Sequence, residues 1–262
     1  MYDSGARWQY SLIPRFSTID PLAEKYYHLS PYAYCAGDPV NLVDPDGRKI
    51  IINDGIKTYT WKSIDDQWGF YDNEDNIYSG DLEYINEYSK ALIELVNIDI
   101  GKELITTLAN DDDFIVTLTY NGEDASSSYI PRRKEINWNY KKPEAVPTEK
   151  GPNSNATTNL GHEFAHAIYH RNGNDMSAIW FTIKSAQKSI PVSEIYTTHI
   201  ENMLRAEMGE PIRTHYVITS KGMGKYERIT QNGKSLYYDV YGRPNYDFKR
   251  LPYYIKPYSY NK

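Results

Sequence analysis

Residues 159–173 read NLGHEFAHAIYHRNG. Leu160, Phe164, Ala165, Ala167 and Ile168 supply an apolar setting at helical spacing, with Thr157 or Thr158 as the expected N-cap and Gly173 as the left-handed residue that ends the helix. Positions i and i+4 of a helix share a face, so His162 and His166 can aim their rings at one point, with Glu163 beside the first of them. Two neutral imidazoles can grip a zinc ion, and a neighbouring carboxylate can take a proton from a water held in the open position. Gly161 and the alanines leave room for other backbone to approach, whereas a surface helix with stray histidines would carry more charge. His170 continues the ladder but lies too far along to share an ion, and is expected at the helix end, facing solvent or the C-terminal dipole.

Such a pair needs a further ligand. The metzincin pattern places one six residues after the second histidine, which here is Asn172, so that pattern is excluded. Asp175 sits on the expected loop after the helix. A glutamate from a second helix, the gluzincin arrangement, is offered by SEIYTTHIENMLRAEMGEP (193–211), where Pro191 and Ser193 mark a start and Glu194, Glu201 and Glu207 follow. Spacing alone leaves Glu194 and Glu201 both open.

The 262 residues, 40% of them hydrophobic, suffice for one large domain and a small appendage. A net charge of −6 is the wrong sign for a protein whose affinity rests on neutralising phosphates, so nucleic acid is not expected as a partner. No run approaches the ~18 apolar residues of a membrane span, and the first residues lack the basic-then-apolar order of a signal peptide. The single cysteine, Cys35, allows no internal disulfide and reads as a packing residue. The 26 tyrosines suit half-wet packing on many strands and loops.

Turn formers crowd the chain up to Arg48: Asp20-Pro21, Ser30-Pro31, Asp38-Pro39, Asp44-Pro45 and Asp46-Gly47. The runs YDSGARW (2–8) and FSTIDPLAEKYYHLSPYAYCAGDPVNLVDPDGR (16–48) closely resemble the conserved end of the RHS/YD-repeat core, the shell of large bacterial polymorphic toxins; SLIPR (11–15) departs from the usual Asp-Pro-x-x-Gly-Arg. The resemblance implies an RHS core segment over 1–48 and a toxin cargo over 49–262, either the tail of a larger polypeptide delivered to a target cell or an orphan cassette starting at Met1, and matched by a cognate immunity protein. It also implies that Asp44 and Asp46 could serve self-cleavage at the junction; shaping turns is the equally good alternative.

After the junction, IIINDGIKTYTW predicts a strand pair around Asp54-Gly55, and two consecutive helices follow from Asp81 to Leu108. FIVTLTY (114–120) and EINWNY (135–140) read as strands, and the stretch after Val217 as Tyr-rich hairpins with an extended tail. The strand over Glu135–Tyr140 is expected to lie at the edge above the helix and to pair with substrate backbone, placing Asn137 and Trp138 in the cleft.

LGHEFAHA, SEIYTTHIENMLRAEMG and PIRTHY, in that order, are similar to type III secreted effector metallopeptidases and share elements with clostridial neurotoxin light chains. The resemblance covers roughly residues 155–217 and implies an α+β, zincin-like core with a mixed small sheet. It makes Glu194 the third zinc ligand through the E-x-x-T stretch Glu194–Thr197. Through Arg213-Thr214-His215-Tyr216, it also gives Arg213 and Tyr216 contacts with the substrate carbonyl and its developing oxyanion. The alternative for the last pair is a salt bridge from Arg213 to Glu201 or Glu207, with Tyr216 a core phenol. Glu201 and Asn202 are expected behind the ligands, orienting a histidine nitrogen or the Arg213 guanidinium. The activity expected is that of a zinc endopeptidase toxin; the alternative is an RHS-associated interaction module that binds a partner or metal without cutting.

Overall fold

The computed structural model describes residues 2–3, 8–9, 50–111, 113–183, 187–216 and 227–238. The chain divides into two compact units, Met1–Gly47 and Arg48–Lys262. In the first, β1 (Tyr2–Asp3) pairs antiparallel with β2 (Trp8–Gln9). Cys35, Asp44 and Asp46 lie outside the described residues, as do most of the segments carrying the RHS resemblance.

The second unit is mixed α and β. Residues Ile50–Asn53 (β3), Thr58–Ile64 (β4) and Gln67–Tyr71 (β5) form an antiparallel meander. The β3–β4 turn is set by short side chains: Asn53 Oδ1 accepts from the Gly55 amide at 2.6 Å, and Asp54 Oδ1 from those of Ile56 and Lys57 at 2.8 and 2.6 Å. β6 (Val116–Thr119), β7 (Ser128–Ile130) and β8 (Glu135–Asn137) extend the sheet in the order β5-β4-β3-β6-β8-β7, with β3–β6 and β6–β8 parallel and β7–β8 antiparallel. Alternation along the strands puts Ile50, Ile52, Val116, Leu118 and Ile136 into the core.

Four helices are described: α1 (Glu83–Val96), α2 (Asp99–Ala109), α3 (Ala156–Arg171) and α4 (Ser193–Glu207). The 3.6-residue period buries Ile85, Tyr88, Leu92 and Leu95 of α1, and Ile100, Leu104, Ile105 and Leu108 of α2. The buried Tyr88 hydroxyl donates to the carbonyls of Thr119 and Ile136 at 2.8 and 3.1 Å, tying α1 to the sheet. None of the described helices is long and apolar enough to cross a membrane.

Helix α3 is buried along most of its length and lies against α1, α2, α4 and β7. Its N-cap is Asn155, whose side chain accepts from the Thr158 amide at 3.0 Å, instead of Thr157 or Thr158; an Asx side chain three residues before that amide caps better than a hydroxyl already inside the first turn. Gly173 does take the left-handed conformation, at φ 73°. Helix α4 packs close because position 161 has no side chain: a Cβ built on Gly161 would stand 2.3 Å from Leu204 Cδ1. Gly161→Val is expected to lower stability by about 1–3 kcal/mol through overpacking. In urea unfolding, pairing it with Leu204→Ala should cost less than the two single losses summed.

Three further two-stranded antiparallel pairs are β9 (Val146–Thr148) with β10 (Gly151–Asn153), β11 (Ile179–Ile183) with β12 (Lys188–Pro191), and β13 (His215–Tyr216) with β14 (Glu227–Arg228). A fourth, β15 (Thr230–Gln231) with β16 (Lys234–Ser235), follows. The tail beyond Tyr238 lies outside the described residues.

Candidate metal centre

One turn of α3 separates His162 from His166, and their ring centroids stand 5.0 Å apart with planes at 73°. Glu194, in the first turn of α4, reaches both: Oε2 is 3.2 Å from His162 Nε2 and Oε1 is 3.5 Å from His166 Nε2. One ligand atom from each residue can be chosen so that all lie within 4.8 Å of one another. Zinc bonds of about 2.0–2.2 Å at tetrahedral angles place ligand atoms roughly 3.3 Å apart. Each Glu194 oxygen stands at about that spacing from one of the two rings.

Glu201 lies two turns further along α4, on the same face as Glu194, and meets the other side of the His162 ring: its Oε2 is 3.0 Å from Nδ1. A carboxylate there fixes the tautomer with the proton on Nδ1 and leaves the Nε2 lone pair for a ligand bond. Thr197 Oγ1 sits 3.2 Å from the same Nε2 and 3.3 Å from the Glu194 carbonyl. Glu201 is itself held by Arg205 and Arg213.

The electrostatics ask for a cation. Burial opposes charge on His162, yet the Glu194 and Glu201 carboxylates outweigh it and hold its pKa up at about 10. Burial also opposes ionisation of Glu194, but the two imidazoles keep its carboxyl well below the usual range. Glu201 is lowered in the same way, its burial outweighed by Arg213 and His162. For Glu163 burial dominates and raises the pKa, while the neighbouring His162 and His166 rings work in the opposite direction.

Buried polar atoms without a hydrogen bond gather here. Glu194 Oε2, His166 Nδ1, Ser193 Oγ and Asn159 Oδ1 are among them, all from residues lining one cavity of about 460 Å³. Leaving such a group unsatisfied costs about 1–3 kcal/mol, so each of these atoms calls for a partner from outside the protein, water or an ion. For Glu194 Oε2 the explanation is in the geometry: it lies beside His162 Nε2 without aligning to it, as two donors to a common ion would. The donor set of two imidazoles and one carboxylate, with room beside it, suits zinc in a catalytic coordination.

Arg213 and Tyr216 also line the cavity. The guanidinium makes the Glu201 salt bridge through Nη1 at 2.7 Å, donates from Nε to the His215 carbonyl at 3.3 Å, and stands 5.0 Å above the Tyr216 ring. The ion-pair alternative is thus realised with Glu201, while both side chains still face the cavity. Burial raises the Tyr216 phenol well above its ordinary range, and Glu194 beside it adds to the effect. Glu207 is elsewhere, accepting from the Ile100 amide at the start of α2 at 3.0 Å. Asn202 clamps the Arg213 backbone instead of a histidine ring nitrogen or the guanidinium, accepting from the N–H at 2.7 Å and donating to the carbonyl at 3.0 Å.

Asn137 and Trp138 are not in the cleft. Strand β8 is interior to the sheet, paired with β6 on one side and β7 on the other. Trp138 is 2% exposed, packs on Tyr88 and donates to the Ala156 carbonyl; the Asn137 side chain is spent on the Asn121 amide and the Ser126 carbonyl. The edge strand over the helix is β7, and Ser126 to Tyr129 line the cavity. His170 stands in the last turn of α3, half-buried, as expected of a helix-end histidine, and its Nδ1 is 2.7 Å from the Tyr129 hydroxyl, which joins β7 to α3. Sequence reasoning missed β7, Tyr129, Arg205 and Asn153. The i, i+4 pair Glu201–Arg205 was the one legible signal for them.

No protein-family model matches this chain, no curated protein is significantly similar to it, and no solved structure matches its fold.

Proposed function

We propose that residues 49–262 are a zinc-dependent endopeptidase of gluzincin type on a zincin-like core. The observation that carries this reading is the pairing of ligand-distance spacing among His162, His166 and Glu194 with a Glu201 carboxylate behind His162. His162, His166 and Glu194 would hold the ion, which supplies a Lewis acid that makes water a nucleophile near neutral pH. Glu163, next to His162 and lining the same cavity, accepts the proton of the attacking water and hands it to the leaving amine. Arg213 and Tyr216 present a cation and a phenol to the cavity, where they can stabilise charge developing on the carbonyl oxygen. Among the described residues β7 is the outer strand of the sheet, and it offers backbone groups for an extended substrate along the cavity that Glu163 also lines.

The resemblance of residues 1–48 supports a wider reading, in which this peptidase is the toxin cargo of an RHS-type polypeptide, cuts a protein of the target cell, and is neutralised by an immunity protein. Purified protein should bind one zinc per chain by metal analysis. N-terminal labelling of target-cell proteins after expression should reveal new termini that vanish on chelation. A zinc-loaded protein that generates no new termini would instead be a binding module without protease activity.

A further inference from the structure

The Glu201 carboxylate is enclosed by three partners. Arg205 Nε donates to Oε1 at 2.8 Å, while Arg213 Nη1 at 2.7 Å and His162 Nδ1 at 3.0 Å share Oε2. Glu201 is 2% exposed and Arg205 only 1%. One guanidinium suffices to keep a carboxylate ionised, and burying a second adds a desolvation cost. The surplus cation therefore needs a reason.

Geometry supplies one. A carboxylate facing Arg213 alone can turn to give it both oxygens, the bidentate pairing that guanidinium favours. With Arg205 occupying Oε1, that rotation is blocked and Oε2 stays on the His162 ring. Arg205 is fixed in turn, because its Nη1 donates to Asn153 Oδ1 at 2.8 Å at the end of β10. The same hairpin holds Arg213: Thr148 bridges to it, the Thr214 amide donates to the Pro147 carbonyl at 2.9 Å, and the Glu149 amide to the Ile212 carbonyl at 3.1 Å.

We propose that Arg205 is a positioning residue for the metal ligand His162, acting through Glu201, and that the β9–β10 hairpin braces the site through Asn153. The proposal rests on the zinc reading of the site and adds to it a role for residues that touch neither metal nor substrate. The test is zinc affinity, measured by competition with a chromophoric chelator, and the visible absorption of the cobalt-substituted protein, in wild type, Arg205→Met, Arg205→Lys and Asn153→Ala. Arg205→Met is expected to weaken zinc binding by about 10–100-fold and to shift the cobalt bands. Arg205→Lys should recover part of the affinity, since an ammonium can hold Oε1 but cannot span to Asn153 in the planar fork of arginine. Asn153→Ala should move both readouts the same way, by less.

Wild-type affinity and cobalt bands in a folded Arg205→Met would overturn the proposal and leave the zinc site standing. If Arg205→Met does not fold, unchanged affinity and bands in both Arg205→Lys and Asn153→Ala overturn it equally. A wild-type protein that takes up no zinc or cobalt removes this proposal and the peptidase reading together.

Discussion

Glu163→Gln should abolish the appearance of new protein termini while the protein keeps its zinc and its stability. Glutamine has the same shape, but it cannot take a proton from water. Removing a positioned general base costs about 10²–10⁴-fold in rate, and the residual rate in a labelling experiment would fall below detection. Metal analysis on the same preparation separates the base from the ligands: one zinc per chain with no cleavage places Glu163 in proton transfer. Cleavage at wild-type rate would remove Glu163 from the chemistry, and with it the assignment of the α3 motif to peptide hydrolysis.

Glu194→Ala and Glu201→Ala should fail in different ways. Glu194 bridges the two imidazole nitrogens, so its loss leaves two ligands and should reduce zinc affinity by more than the 10–100-fold typical of a partner behind a ligand. Its removal also takes an anion from two imidazoles, which can give up their protons in response, so metal-free stability should fall by less than in Glu201→Ala. Glu201→Ala should weaken zinc less, but it strands Arg205 and Arg213 as two buried cations with their shared anion gone. Breaking such a buried pair costs about 3–5 kcal/mol, so this variant should be the one with the large loss in urea unfolding. An exchange of the two phenotypes, with Glu201→Ala emptying the site in a stable fold, would reverse the ligand assignment.

How much of this was legible follows the range of the interactions. The strand pair around Asp54-Gly55, the two consecutive helices and the α3 histidine pair all depend on residues within a few positions of one another, and the structure has them at those places. The choice between Glu194 and Glu201 did not, because they lie seven residues apart on one face of α4; the crossing of α4 over α3 brings one to Nε2 and the other to Nδ1 of the same ring. Asn137 and Trp138 were placed in the cleft because alternation marks a strand but carries no information on its neighbours. Sheet order put β7, from an unassigned serine run, outside β8 and took the edge from it.

Arg205 shows the same limit from the other direction. Four residues after Glu201 it has the spacing of an ordinary surface ion pair, worth a few tenths of a kcal/mol. Only the packing of α4 against α3 and the β9–β10 hairpin makes it a buried cation with a fixed partner on each side.

By itself, then, the sequence determined that one helix presents two imidazoles and a carboxylate, because a periodic backbone fixes which neighbours share a face. Tertiary structure decided which distant carboxylate meets those rings, which stands behind them and which strand borders them. Those distances depend on how whole helices and strands are packed together, and no local spacing encodes that.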